Sequence, residues 1–252
     1  MEKITERIFH RSELLLGKEM MEKLAQKKVI IFGIGGVGSW CAESLIRSGI
    51  KNLTMVDSDV VCVTNVNRQL HATTKTVGMS KIEALKERLL DINPDTNICG
   101  IQKVYNADSN DEFELEKYDY IIDAIDSLSS KIHLIRKATR TNAVFFSSMG
   151  AALKIDPTRI KVAEFWKVRG CPLGSAIRKR IKRGDLPGKK FMCVYSDELL
   201  ENKGESFHEQ DESHQANNKK ASMNGTVSHI TAIFGLTIAG LIIQSIYNEN
   251  VK

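Results

Sequence analysis

Over the first 150 residues, short apolar runs alternate with longer amphipathic stretches, and turn residues separate them. Lys28–Phe32 is an apolar run rich in β-branched residues, which predicts a buried strand. A glycine turn follows, then an amphipathic stretch over residues 37–48 that Gly49 closes, which predicts a helix. Residues 52–57 read as a second strand. A helix is expected from about Ser80, where Ser80 and Glu83 have capping-box spacing and Ile82, Leu85, Leu89 and Ile92 form one apolar stripe; Asn93-Pro94 ends it. Further strands are predicted at 98–104, 120–125 and 143–147, with a helix over 129–141. This alternation predicts a doubly wound α/β fold, a mostly parallel sheet with helices on both faces. Beyond residue 150 the periodicity weakens. The expectation there is a loop-rich C-terminal insertion, partly mobile, in which residues 191–195 alternate like a strand. Residues 226–247 are largely apolar but are interrupted by Ser228, His229, Thr231, Thr237 and Gln244, which suits a buried covering helix better than a membrane span. The expected layout is one domain over 1–252: a helical arm (1–25), a core (26–150), a variable insertion (151–225) and an apolar helix (226–252).

Composition narrows this little. With 252 residues and 42% apolar content, the chain can bury a sizeable core. Its net charge of +5 permits an anionic partner without requiring one. The five cysteines show no Cys-x-x-Cys pair, which fits a reduced cytoplasmic protein and leaves no four-cysteine zinc site. Residues 1–7 lack the apolar core of a signal peptide.

The glycine turn carries the first chemistry. Gly33-Ile34-Gly35-Gly36-Val37-Gly38 fits G-x-G-x-x-G between a strand and a helix, where small residues let backbone approach phosphate and a helix N-terminus offers free N–H groups. Asp57 lies nineteen positions after Gly38, at the end of the next strand, where a carboxylate can accept from ribose hydroxyls. A Rossmann-like nucleotide site follows. Asp57 alone suits NAD and ATP equally. The loop after it, with Asp59, Asn65, Asn67, Arg68 and Gln69, and Lys81 in the first turn of the next helix, favours ATP. A lysine in that turn opposes the helix dipole and is better explained if it faces an anion. Arg68 and Lys81 can meet a triphosphate, and Asp126, at the carboxyl edge of the sheet, can hold magnesium.

These residues resemble a known family. Residues 33–38, Val56-Asp57-Ser58-Asp59, Asn65-x-Asn67-Arg68-Gln69, Val77-Gly78-x-x-Lys81 and Asp123-Ala124-Ile125-Asp126 look like the adenylation domain of ubiquitin-activating-like enzymes. Within that superfamily, residues 33–126 are especially similar to the tRNA threonylcarbamoyladenosine dehydratases, through Gly35-Gly36-Val37-Gly38-Ser39-Trp40, residues 59–65, Asn67-Arg68-Gln69-Leu70-His71-Ala72 and Asp123-Ala124-Ile125-Asp126-Ser127. The resemblance weakens between 175 and 220.

The resemblance implies ATP and magnesium as cofactors and a tRNA carrying threonylcarbamoyladenosine as substrate. The cofactor-binding residues would be Gly33, Gly35, Gly36, Gly38, Asp57, Asp59, Asn65, Arg68, Gln69 and Lys81. The catalytic residues would be Arg11, Arg68, Lys81 and Asp126, with Asp126 on the metal. Arg11, in Phe9-His10-Arg11-Ser12, would reach across a homodimer to the γ-phosphate. Sulfur-transfer proteins are further partners it implies. Two rivals stay open, and one charged segment has two readings. A nicotinamide-dependent oxidoreductase uses the same glycine turn. An activator of a small ubiquitin-like sulfur carrier could use Cys193 as acyl acceptor, although Cys193 and Cys171 both read as buried structural thiols. The basic run over 178–183, with Lys189 and Lys190, is either a solvated helix face or a tRNA contact.

Overall fold

The computed structural model describes residues 7–205 and 224–250. The predicted strands form β1 (Lys28–Phe32), β2 (Asn52–Val56), β3 (Asn97–Ile101), β4 (Tyr120–Asp123) and β5 (Val144–Ser148). The helices are α1 (His10–Leu16), α2 (Lys18–Gln26), α3 (Gly38–Arg47), α4 (Lys81–Ile92) and α5 (Leu128–Ala138). The region read as loop-rich also supplies β6 (Ile160–Glu164), α6 (Pro172–Ile181) and β7 (Met192–Ser196). Seven strands make one sheet in the order β3-β2-β1-β4-β5-β7-β6, all parallel except β6, which pairs antiparallel with β7. The segment after residue 150 therefore completes the sheet as well as looping over it.

Strand alternation divides the core in two. Val29, Ile31, Leu53, Met55 and Ile122 face the layer of α3, α4 and α7 (Ser228–Asn250); Ile30, Phe32, Ile121 and Phe145 face α5 and α6. Helix α7 is long and apolar enough to cross a membrane by composition, but Ile230, Phe234, Ile238, Ile242 and Ile246 are fully buried, and the helix packs on α3 and α2. The close fit comes from Gly235, where a Cβ would stand 2.4 Å from the Val37 carbonyl oxygen.

One local expectation fails. Ser80 is the N-cap of α4, but its side chain makes no cap bond and its Oγ is buried without a partner among the described residues. The cause is an isolated antiparallel bridge between Val60 and Ser80, after which the Lys81 N–H donates to the Asp59 carbonyl at 3.1 Å. The incoming chain satisfies the helix start that Ser80 and Glu83 were expected to cap.

Helices α3 and α4 are tied by Glu43, which is 7% exposed. It accepts from Arg88 Nε at 2.6 Å and Nη2 at 3.1 Å, and from Arg47 Nε at 2.9 Å. Burial pushes the Glu43 carboxyl up, but the two arginines outweigh it and hold the group below its ordinary value. A carboxyl lowered by folding stabilises above its unfolded pKa and loses that contribution as pH falls through the folded value. Glu43→Gln should therefore cost about 2 kcal/mol in denaturant unfolding near pH 7, and the deficit should shrink well below about pH 4.5, where wild type is also protonated.

Candidate active site

The site lies where the sheet order reverses, at the carboxyl ends of β1 and β4, the usual ligand crevice of a doubly wound sheet. Gly33 leaves β1 at φ +83°, a backbone conformation that glycine adopts freely. Its N–H donates to the Val56 carbonyl at 2.8 Å, and a Cβ there would come within 2.7 Å of the Ala124 oxygen. A Cβ on Gly38 would stand 1.9 Å from the Gly33 oxygen. The turn thus folds back on itself so that α3 starts directly beneath it. Ser39 Oγ donates to the Gly35 carbonyl at 2.7 Å and accepts from Leu70 N at 3.2 Å, joining the turn to the 65–72 loop.

Asp57 follows β2 and faces this turn. Its Oδ2 accepts from Ile34 N at 2.9 Å and its Oδ1 from Asp59 N at 3.0 Å. Burial pushes the Asp57 carboxyl above its ordinary value, against the pull of Lys81 and the two backbone donors. Lys81 is 6% exposed; its Nζ lies 2.6 Å from Asp59 Oδ2 and 3.9 Å from Asp57 Oδ1. Lys81, expected to face phosphates, has the protein's own carboxylates as its partners here.

Asn65 uses its side chain on its own 3-10 turn (Val63–Asn65), accepting from Cys62 N at 3.1 Å. Arg68 Nη1 donates to the Thr64 carbonyl at 2.8 Å and to Asn67 Oδ1 at 2.9 Å, while Trp40 of α3 donates to the Arg68 carbonyl at 3.1 Å. Burial holds the Arg68 guanidinium below its ordinary value, and the Asp126 carboxylate is near enough to pull it the other way. Gln69 is buried beside Gly35, with its Oε1 unpaired among the described residues. The structure brings together the glycine turn, Asp57, Asp59, Asn65, Arg68, Gln69, Lys81 and Asp126. Arg11 is exposed on α1, and among the described residues no hydrogen bond ties it to the turn.

Two features were not anticipated. His71 is 2% exposed with both ring nitrogens unpaired among the described residues; burial, then the charge of Lys81, hold its pKa down at about 4, so the ring is neutral at physiological pH. Asp123 and Lys131 form a fully buried ion pair at 2.8 Å. Its sequence signal was weak but present: Lys131 shares the apolar stripe of Leu134, Ile135 and Ala138. Cys193, in contrast, is 1% exposed inside β7, and burial raises its thiol pKa well above the ordinary value, so it is not poised as a nucleophile.

No ligand-carrying cage for a metal forms: among the described residues there is no group of three His, Cys, Asp or Glu side chains that could hold one. An exposed carboxylate such as Asp126, standing alone at the sheet edge, fits a magnesium ion that arrives with nucleotide phosphates and needs only one or two protein ligands. The unpaired Gln69 Oε1 and the close-packed glycine turn likewise fit a nucleotide.

A glycine turn, a buried carboxylate facing it and two cations beside it, at the switch point of a doubly wound sheet, define a nucleotide-binding enzyme. The chain belongs to the ThiF family, whose model matches residues 9–252. It is 35% identical over 242 residues to the tRNA threonylcarbamoyladenosine dehydratase of Bacillus subtilis, covering 96% of this chain and 95% of that one. It is 38% identical over 192 residues to the Escherichia coli dehydratase, covering 74% and 72%. The crystal structure of the E. coli tRNA N6-threonylcarbamoyladenosine dehydratase in complex with ATP matches with a TM-score of 0.86 at 31% identity, covering 100% of this chain and 98% of that one.

Proposed function

We propose that the protein uses ATP to dehydrate threonylcarbamoyladenosine next to the anticodon of tRNA, closing it to a cyclic base through an acyl-adenylate. The observation that carries this reading is the convergence of Arg68, Lys81, Asp57 and Asp126 on one glycine turn, in a chain similar to these dehydratases over nearly its whole length. A carboxylate is a poor electrophile. Attack of its oxygen on the α-phosphorus of ATP releases pyrophosphate and makes AMP the leaving group. A nucleophile in the same modified side chain then attacks the acyl carbon and expels AMP. The departing AMP carries off the carboxylate oxygen, so the base loses one water.

Each side chain has a task. Asp57 accepts from the ribose hydroxyls. Gly33, Gly35, Gly36 and Gly38 let the phosphates approach backbone N–H groups at the start of α3. Lys81, released from Asp59, and Arg68 neutralise charge that develops as pyrophosphate leaves. Asn65 holds the phosphate loop in shape, Gln69 offers its unpaired Oε1 to a nucleotide donor, and Asp126 would hold magnesium, which would offset phosphate charge. Arg11 acts from a second copy: it lies beside Leu14 and Leu15, which are 74% and 82% exposed on α1 and offer an apolar surface for that copy to cover. Of the basic run, Arg178 is spent on the Phe165 carbonyl and Ser175, whereas Lys179, Arg180, Lys182 and Arg183 are exposed and free to meet tRNA phosphates. A tRNA substrate and the unpaired cysteine pattern support a cytoplasmic protein.

The buried Cys193 favours this reading over transfer to a carrier through a thioester. With ATP, magnesium and threonylcarbamoyladenosine-bearing tRNA, AMP should form in step with modified tRNA. Asp126→Ala should lower that rate about 100-fold or more, and Cys193→Ala should leave it within about twofold. AMP formation that needs a carrier protein with a C-terminal Gly-Gly instead of tRNA would sink the proposal.

A further inference from the structure

The turn that carries Asp126 rests on the buried ion pair. Lys131 Nζ donates to Asp123 Oδ1 and to the Ile125 carbonyl, both at 2.8 Å. Ile125 N donates back to Asp123 Oδ1 at 3.1 Å, and Ser147 Oγ of β5 donates to Asp123 Oδ2 at 2.6 Å. Both backbone polar groups of Ile125 are therefore held by the pair, one residue before Asp126. On the other side, Ala124 N donates to the Phe32 carbonyl at 2.9 Å, and its oxygen sits against Gly33 so closely that no Cβ would fit between them. One network, anchored on a fully buried pair, thus supports the Asp126 turn from below and abuts the glycine turn from the side.

Stability alone does not account for such a pair. Two charges with no exposure are costly to desolvate, and apolar residues of similar volume commonly replace a buried pair at no loss of stability. What an apolar pair could not do is hold the N–H and the C=O of Ile125 at once. We infer that Asp123 and Lys131 are positioning residues: through the Ile125 peptide they fix the direction in which Asp126 presents its carboxylate to the nucleotide-bound cation. This rests on the reading of Asp126 as the metal-binding carboxylate. Neither residue touches the nucleotide. Their loss acts on the magnesium-dependent part of ATP affinity and spares the part that the glycine turn supplies by itself.

The test is calorimetric titration of ATP into the full chain, with magnesium and with a chelator, together with thermal unfolding. Asp123→Asn/Lys131→Met removes both charges together, so no orphan ion remains to unfold the protein. It should bind ATP in chelator as wild type does, and lose about tenfold or more of the affinity gained from magnesium, the usual effect of removing a residue that orients a metal ligand. Asp126→Ala is the reference and should lose the magnesium gain entirely. A gain kept in both variants, or in Asp126→Ala alone, overturns the metal reading and the proposal with it. A gain lost in Asp126→Ala but intact in the pair variant overturns the positioning proposal alone. Should the double variant not fold, Ser147→Ala, which removes one bond to Asp123 and leaves the pair, should lose about threefold of the gain; an unchanged gain there has the same overturning force.

Discussion

Lys81→Met is expected to lower kcat/KM for ATP-dependent turnover by about 100-fold or more. The ammonium is buried and close to both Asp57 and Asp59. Removing it takes away the cation proposed to meet the phosphates and also leaves Asp57, already disfavoured as an anion by burial, without its opposing charge. Truncating one member of a desolvated charge pair typically costs about 2–5 kcal/mol, and each 1.4 kcal/mol is about tenfold. Global stability should fall much less, because Asp59 is about half exposed and regains water. Steady-state kinetics with thermal unfolding separates the two effects. A variant that melts like wild type and turns over within about threefold of it would show that Lys81 is a structural partner of Asp59 only.

The second large effect separates glycines that build the turn from one that serves the ligand. Gly38→Ala places a methyl where the Gly33 carbonyl already is, and a backbone carbonyl cannot swing aside as a side chain can. The turn must open, with an expected loss of about 3 kcal/mol in stability and of measurable ATP binding. Gly35→Ala meets nothing closer than the Gln69 amide, 3.7 Å away, so the fold should survive it nearly intact. Its methyl would nevertheless stand on the surface that phosphates approach, and ATP affinity should drop about tenfold or more. Equal destabilisation by the two substitutions would contradict this division of labour.

The sequence showed the half of the fold whose strands are buried on both faces. Residues 29–32 are a continuous apolar run, and residues 53–56 are broken only by Thr54, because helices cover both strands on either side. β6 was not visible for the opposite reason: it is an edge strand whose Lys161 and Val162 are both exposed, and its apolar residues are few, partly covered and interrupted by Lys161 and Glu164. α6 was hidden behind its charges; only Gly174, Ile177 and Ile181 are buried in it, and the basic residues between them read as a solvated run. At the site, Asp57, Arg68, Lys81 and Asp126 were legible because glycines and loop polarity marked their surroundings. The Asp123–Lys131 pair left only a weak trace, the lysine on the apolar stripe of α5; that the two pair with each other shows only once strand and helix pack beside Ser147. His71 was read only as part of a motif; its burial depends on how the 65–72 loop packs against α4.

The most direct test of the central claim is nucleoside mass spectrometry of tRNA bearing threonylcarbamoyladenosine after incubation with the protein, ATP and magnesium. The account predicts loss of one water from the modified nucleoside, dependent on ATP, absent with Asp126→Ala and retained with Cys193→Ala. An unchanged nucleoside mass, from protein that still binds ATP, would contradict it.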